Sequence, residues 1–100
     1  MIHRLVKLTF HPEHIAHFQA VFKSYKRAIR NSPGCQHLEA WQDLNNPAIF
    51  FTFSKWDRPE DLEAYRQSDT FKEVWPKTKI LFSDKPEAWS TQQIDVAHES

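Results

Sequence analysis

The chain carries one glycine and one cysteine in 100 residues, has no net charge, and contains no apolar run long enough to cross a bilayer. Each scarcity excludes something. Thirteen basic residues cancel thirteen acidic ones, so the charge balance offers no footprint for nucleic acid or for an anionic membrane. The lone Cys35 cannot close an intramolecular disulfide, which fits a reducing compartment. The first residues, Met1 to Lys7, lack the apolar core of a signal peptide. A cytoplasmic protein is the expectation. With glycine so rare, the backbone has few positions needing φ > 0. Gly34, after Asn31, Ser32 and Pro33, is the expected one, in a turn.

What the chain does have is bulk. Hydrophobic residues make up 40% and aromatics 14%, enough for one globular domain over residues 1–100, with a core of about 2–95 and a tail at 96–100. Ile2 to Phe10 reads as a strand with Ile2, Val6, Leu8 and Phe10 on one face, a face that Arg4 interrupts. Pro12 suits a first helical turn. Ile15, Phe18, Phe22, Tyr25 and Ile29 then recur at helical spacing. A second strand is expected from Cys35 to Asp43, a turn at Asn45 to Pro47, and a third strand over 48–56. Asp57 with Glu60 resembles a capping box opening a second helix, with Leu62 and Tyr65 inward. Thr70 with Glu73 resembles another, so a break is expected near Ser68, and Pro76 should disturb or end the second piece. Ile80 to Phe82 are candidates for a last helical turn, and Glu87 to Asp95 for a final strand.

The order strand, helix, strand, strand, helix, strand is the ferredoxin-like α+β pattern: a four-stranded antiparallel sheet with its helices on one face. The third strand sets Ile49, Phe51 and Phe53 on one face and Phe50 and Trp56 on the other. Helices cover only one of those faces. Aromatics on both ask for a second cover, most simply another copy of the chain, and so a homodimer. An aromatic-lined interior further suggests a small aromatic or hydrophobic ligand.

Several segments together carry a family resemblance. They are the turn Ser32-Pro33-Gly34-Cys35, the hairpin through Asn46-Pro47, the strand end Lys55-Trp56-Asp57, the run Glu60 to Ala64, and Gln67-Ser68-Asp69-Thr70-Phe71-Lys72. Over about Ile2 to Asp95 this succession resembles the antibiotic biosynthesis monooxygenase superfamily. The resemblance implies a dimeric α+β barrel with sheets packed face to face and a pocket between sheet and helices. It also implies oxidation of a phenol or quinol by molecular oxygen with no flavin, haem or metal, the deprotonated substrate itself reducing oxygen. Other relatives degrade haem. Trp56 and Ser68-Asp69-Thr70-Phe71 match that branch, but Tyr65 stands at its helical tryptophan and Trp75 at its iron-binding histidine. An indole does not ligate haem iron, which argues against haem degradation.

The candidate catalytic residues are His37 and Arg4. His37 shares a strand face with Glu39 and Trp41, and imidazole is the side-chain type suited to act as a phenol's base. Alternatively it is a polar residue on the dimer-facing or edge surface. Arg4 would stabilise a phenolate or pair with Glu39, or else snorkel to water. Trp56, Tyr65, Phe71 and Trp75 are candidates to line a flat aromatic pocket, with Thr52 and Ser54 supplying hydroxyls. The alternative is ordinary core. His11, His14 and His17 invite a metal reading. Steps of three turn the first and third well apart on a helix, and no other ligand completes the set, so no metal site is expected. Cys35 has no neighbour in sequence that would make it a nucleophile. The rival functions are a non-catalytic carrier of a hydrophobic metabolite, an isomerase or lyase on the same barrel, and a structural dimer.

Overall fold

The computed structural model describes residues 1–98. The elements run β1 (Ile2–Thr9), a 3-10 turn (Pro12–His14), α1 (Ile15–Arg30), β2 (Cys35–Gln42), β3 (Ile49–Trp56), α2 (Pro59–Arg66), α3 (Asp69–Lys79) and β4 (Glu87–Thr91). The strands form one antiparallel sheet in the order β2-β3-β1-β4. This is the ferredoxin-like α+β arrangement, with the long β1 and β3 at the centre where they pair over their full length.

Strand alternation sorts the sheet's two faces. Leu8, Phe10 and Phe50 turn toward the helices and meet Phe18 of α1 and Leu81 in a buried cluster. Phe10 stacks on Phe18 with ring centroids 4.4 Å apart and on Phe82 at 5.3 Å. Among the described residues, the opposite face carries no helix. Register places Trp89, Leu5, Phe53 and Glu39 in one row across it, and Glu87, Lys7, Phe51 and Trp41 in the next. Trp41 stacks on Phe53 at 5.4 Å, yet Trp41 stays 44% exposed and Trp89 43% exposed.

Gly34 has φ +82°, as the turn requires, and a Cβ there would overlap the side chain of Asp61. Its carbonyl accepts from the Asp57 amide at 2.8 Å, tying the start of β2 to the end of β3.

Local details depart from the sequence expectations. Arg58, not Asp57, is the N-cap of α2, and it makes no side-chain capping bond, because a guanidinium only donates and cannot accept from the first-turn amides. Asp57 instead accepts from Gln36 Nε2. The cap of α3 is Ser68, not Thr70: its Oγ accepts from the Phe71 amide at 3.2 Å and donates to the Tyr65 carbonyl at 2.6 Å. One hydroxyl thus closes α2 and opens α3, which is why the break falls there. Pro76 does not end α3, which continues to Lys79. Val74 and Thr78 are buried on either side of it, and that packing holds the helix together despite the missing N–H. Ile80 to Phe82 lie beyond the helix. Leu81 enters the core, and Phe82 bridges to Phe10. β4 stops at Thr91 rather than Asp95, and residues 92–98 have no regular structure. The last two residues of the expected tail lie outside the described ones.

Candidate functional site

Between the sheet and the three helices lies a cavity of about 340 Å³. That is near the small end of the ~300–1,000 Å³ usual for small-molecule sites. Its floor is the helix-side face of β1 and β3, where alternation presents Arg4, Val6, Thr52, Ser54 and Trp56. Its walls come from Phe18 and Phe22 of α1, Tyr65 of α2, and Phe71 and Trp75 of α3. Four of the aromatic rings pack in series: Trp56 stacks on Tyr65 at 5.1 Å, Tyr65 meets Phe71 edge-on at 5.3 Å, and Phe71 stacks on Trp75 at 5.7 Å. The Ser68 cap builds this wall, because it sets the angle at which α2 hands over to α3.

The structure brings seven of the eight candidate site residues to this cavity: Arg4, Thr52, Ser54, Trp56, Tyr65, Phe71 and Trp75. His37 is the exception. It faces the opposite side of the sheet, where its Nε2 lies 3.4 Å from Glu39 Oε2 and its ring sits edge-on to Phe53. The sheet stands between this imidazole and the cavity. Arg4 also does not reach Glu39, because register puts the two on opposite faces. Arg4 Nη1 donates to Ser90 Oγ at 2.9 Å instead.

The polar groups have different roles. The Trp56 indole N–H donates to Ser54 Oγ at 2.9 Å and is fully engaged. Thr78 Oγ1 bonds back to the Val74 carbonyl. The Thr52 and Tyr65 hydroxyls make no hydrogen bond with another described residue, so both remain available to a ligand. Burial, reinforced by the nearby Cys35 thiol, pushes Tyr65 up to about 12, so this phenol stays protonated. Burial also raises the Cys35 thiol. Among the described residues, no carboxylate and no imidazole lines the cavity.

One lining residue escaped the sequence reading. Arg66 closes the last turn of α2 and is exposed. It stands four residues after Leu62, on the inward stripe already marked by Leu62 and Tyr65, so helical periodicity could have found it.

The model of the family described as "Antibiotic biosynthesis monooxygenase" matches residues 1–76. The chain belongs to the antibiotic biosynthesis monooxygenase family. Among solved structures it is similar to a conserved protein from Methanosarcina mazei Go1, at 25% identity and TM-score 0.87 over 92% of this chain and 91% of that one. It is also similar to an antibiotic biosynthesis monooxygenase at 15% identity and TM-score 0.89, over 95% of this chain and all (100%) of that one. A candidate antibiotic biosynthesis monooxygenase from Deinococcus radiodurans aligns at 18% identity and TM-score 0.87, over 100% and 99% of the two chains. Among curated proteins none matches. Within this family member, the cavity is the place where small-molecule chemistry has both a shaped apolar wall and free polar groups.

Proposed function

We propose that this protein is a cofactor-independent monooxygenase that oxidises a small phenol or quinol with molecular oxygen, working as a homodimer in the cytoplasm. The cavity carries this reading: a ring-sized hollow walled by Trp56, Tyr65, Phe71 and Trp75, with the Thr52 hydroxyl free at its floor. The balanced reaction for a phenol with a free para position is ArH(OH) + O2 giving the quinone and water. Four electrons leave the ring, one oxygen atom becomes the second quinone oxygen, and the other leaves as water. The substrate supplies every electron.

The chain's part is to bind, orient and exclude water. The aromatic walls hold the ring flat, and the Thr52 and neutral Tyr65 hydroxyls donate to its oxygen. The guanidinium of Arg4 handles charge by favouring an anionic ligand over a neutral one. With no base among the described lining residues, the phenolic proton passes to solvent. Turnover should then rise with pH until the substrate's own pKa is passed.

The test is oxygen uptake with a panel of phenols and hydroquinones, using ¹⁸O₂ to follow the label. One labelled oxygen in the quinone supports the reading. Tight binding with no uptake by any member sinks the oxygenase and favours a second reading, a carrier that holds the same ligands unchanged. The lack of a base in the cavity is the observation on that side.

A further inference from the structure

We infer that the ligand of this cavity carries a carboxylate, held at the solvent end by a fork made from Arg4 and Arg66. The inference rests on the cavity reading above and names the class of molecule that fits it: an aromatic acid, ring inward and carboxylate outward.

Two lining residues are exposed, Arg66 of α2 and Ala88 of β4, and mark the solvent side of the cavity. Arg4 and Arg66 both line it, one from the sheet floor and one from the helical wall, near enough for the charge of one to act on the other. Arg4 is half-buried and donates to the neutral Ser90 hydroxyl. No carboxylate among the described residues lies within ion-pair distance of Arg4. Arg66 has one weak pair, with exposed Glu63 of its own helix at 3.6 Å. Burial lowers the proton affinity of the Arg4 guanidinium, and the positive charge of Arg66 lowers it further.

Two like charges facing one opening repel each other, and a half-buried cation without a counter-ion is costly. An anion placed between them relieves both costs. A planar carboxylate matches the guanidinium fork with paired N–H···O bonds, which a compact point charge does not. Inward of the fork the walls are aromatic, so the remainder of the ligand is a ring. The reactive hydroxyl then lies inward of the fork, toward the Thr52 side of the floor.

The test compares 3-hydroxybenzoate, whose position para to the hydroxyl is free, its methyl ester and hydroquinone by calorimetry on the intact protein at low salt. The acid should bind at least about tenfold tighter than the ester, the scale of one hydrogen bond to a charged group. Arg4→Gln and Arg66→Gln should each reduce the ratio of acid to ester affinity. Arg4→Lys should restore little of it, because the fork geometry is lost. Raising salt should weaken the acid alone. Equal binding of acid and ester, or a preference that survives both substitutions, overturns the carboxylate fork and leaves the cavity reading standing. Binding by none of the three overturns the cavity reading and the fork with it. Should Arg4→Gln fail to fold, the wild-type comparison and Arg66→Gln, on an exposed helical turn, still decide.

Discussion

Replacing Ser54 by alanine should destabilise the protein through Trp56. Ser54 is 7% exposed and Trp56 1% exposed, and the indole N–H has Ser54 Oγ as its acceptor at 2.9 Å. Ser54→Ala changes volume little but strands a buried N–H. Leaving a buried donor unsatisfied costs about 1–3 kcal/mol. For a domain of this size each kcal/mol moves Tm by roughly 4–8 °C, so a fall of about 4–24 °C is expected. The decisive comparison is a double-mutant cycle with Trp56→Phe. Phenylalanine keeps a ring against Tyr65 but has no N–H to strand. Ser54→Ala should therefore cost at least about 1 kcal/mol less in the Trp56→Phe background than in the wild type. Urea unfolding followed by far-UV circular dichroism measures all four proteins. Protein concentration must be held fixed, since self-association would make the midpoint depend on it. An equal cost of Ser54→Ala in both backgrounds would refute the assignment, because the loss would then have nothing to do with the indole.

Three further outcomes are expected. Gly34→Ala should lose more than about 1 kcal/mol, since alanine is strained at φ +82° and its Cβ runs into Asp61; an unchanged thermal midpoint would contradict this. Tyr65 titrates at about 12 in the folded protein against 10 when free. The unfolded chain therefore releases this proton first, and stability present below pH 10 falls as pH rises toward 12. Tyr65→Phe should flatten that part of the stability curve, and an unaltered alkaline slope would mean that other groups cause it. Phe53→Arg puts a charge at the centre of the uncovered sheet face, between Leu5 and Glu39. If that face joins two copies, sedimentation should show dimer becoming monomer, whereas an unshifted mass would place the interface elsewhere.

The element order was legible because each strand and helix carries its own period. Ile15 to Ile29 repeats at helical spacing, and Phe50, Thr52, Ser54 and Trp56 alternate with Ile49, Phe51 and Phe53. The same alternation correctly set Thr52 and Ser54 beside Trp56. The caps differ from expectation because Asp57 and Thr70 carry capping chemistry, yet the N-cap of α2 falls one residue after Asp57, at Arg58, and that of α3 at Ser68. Which one caps depends on backbone entry angles that packing sets. Pro76 fails to end α3 for a related reason: the local rule favours a stop, but burial of Val74 and Thr78 prevails.

The fate of His37 and Arg4 marks the boundary between sequence and structure. Sequence by itself determined the ferredoxin-like order, the aromatic surplus on both faces of β3, and the shared face of His37, Glu39 and Trp41, because these follow from side-chain period along one strand. Only the tertiary structure decided which of the two faces the helices cover. That choice turned His37 away from the cavity, gave Arg4 a place in it, and brought Arg66 to the same opening from an element more than fifty residues distant in sequence. Strand alternation fixes which residues are companions; the crossing of helices over a sheet fixes what they face.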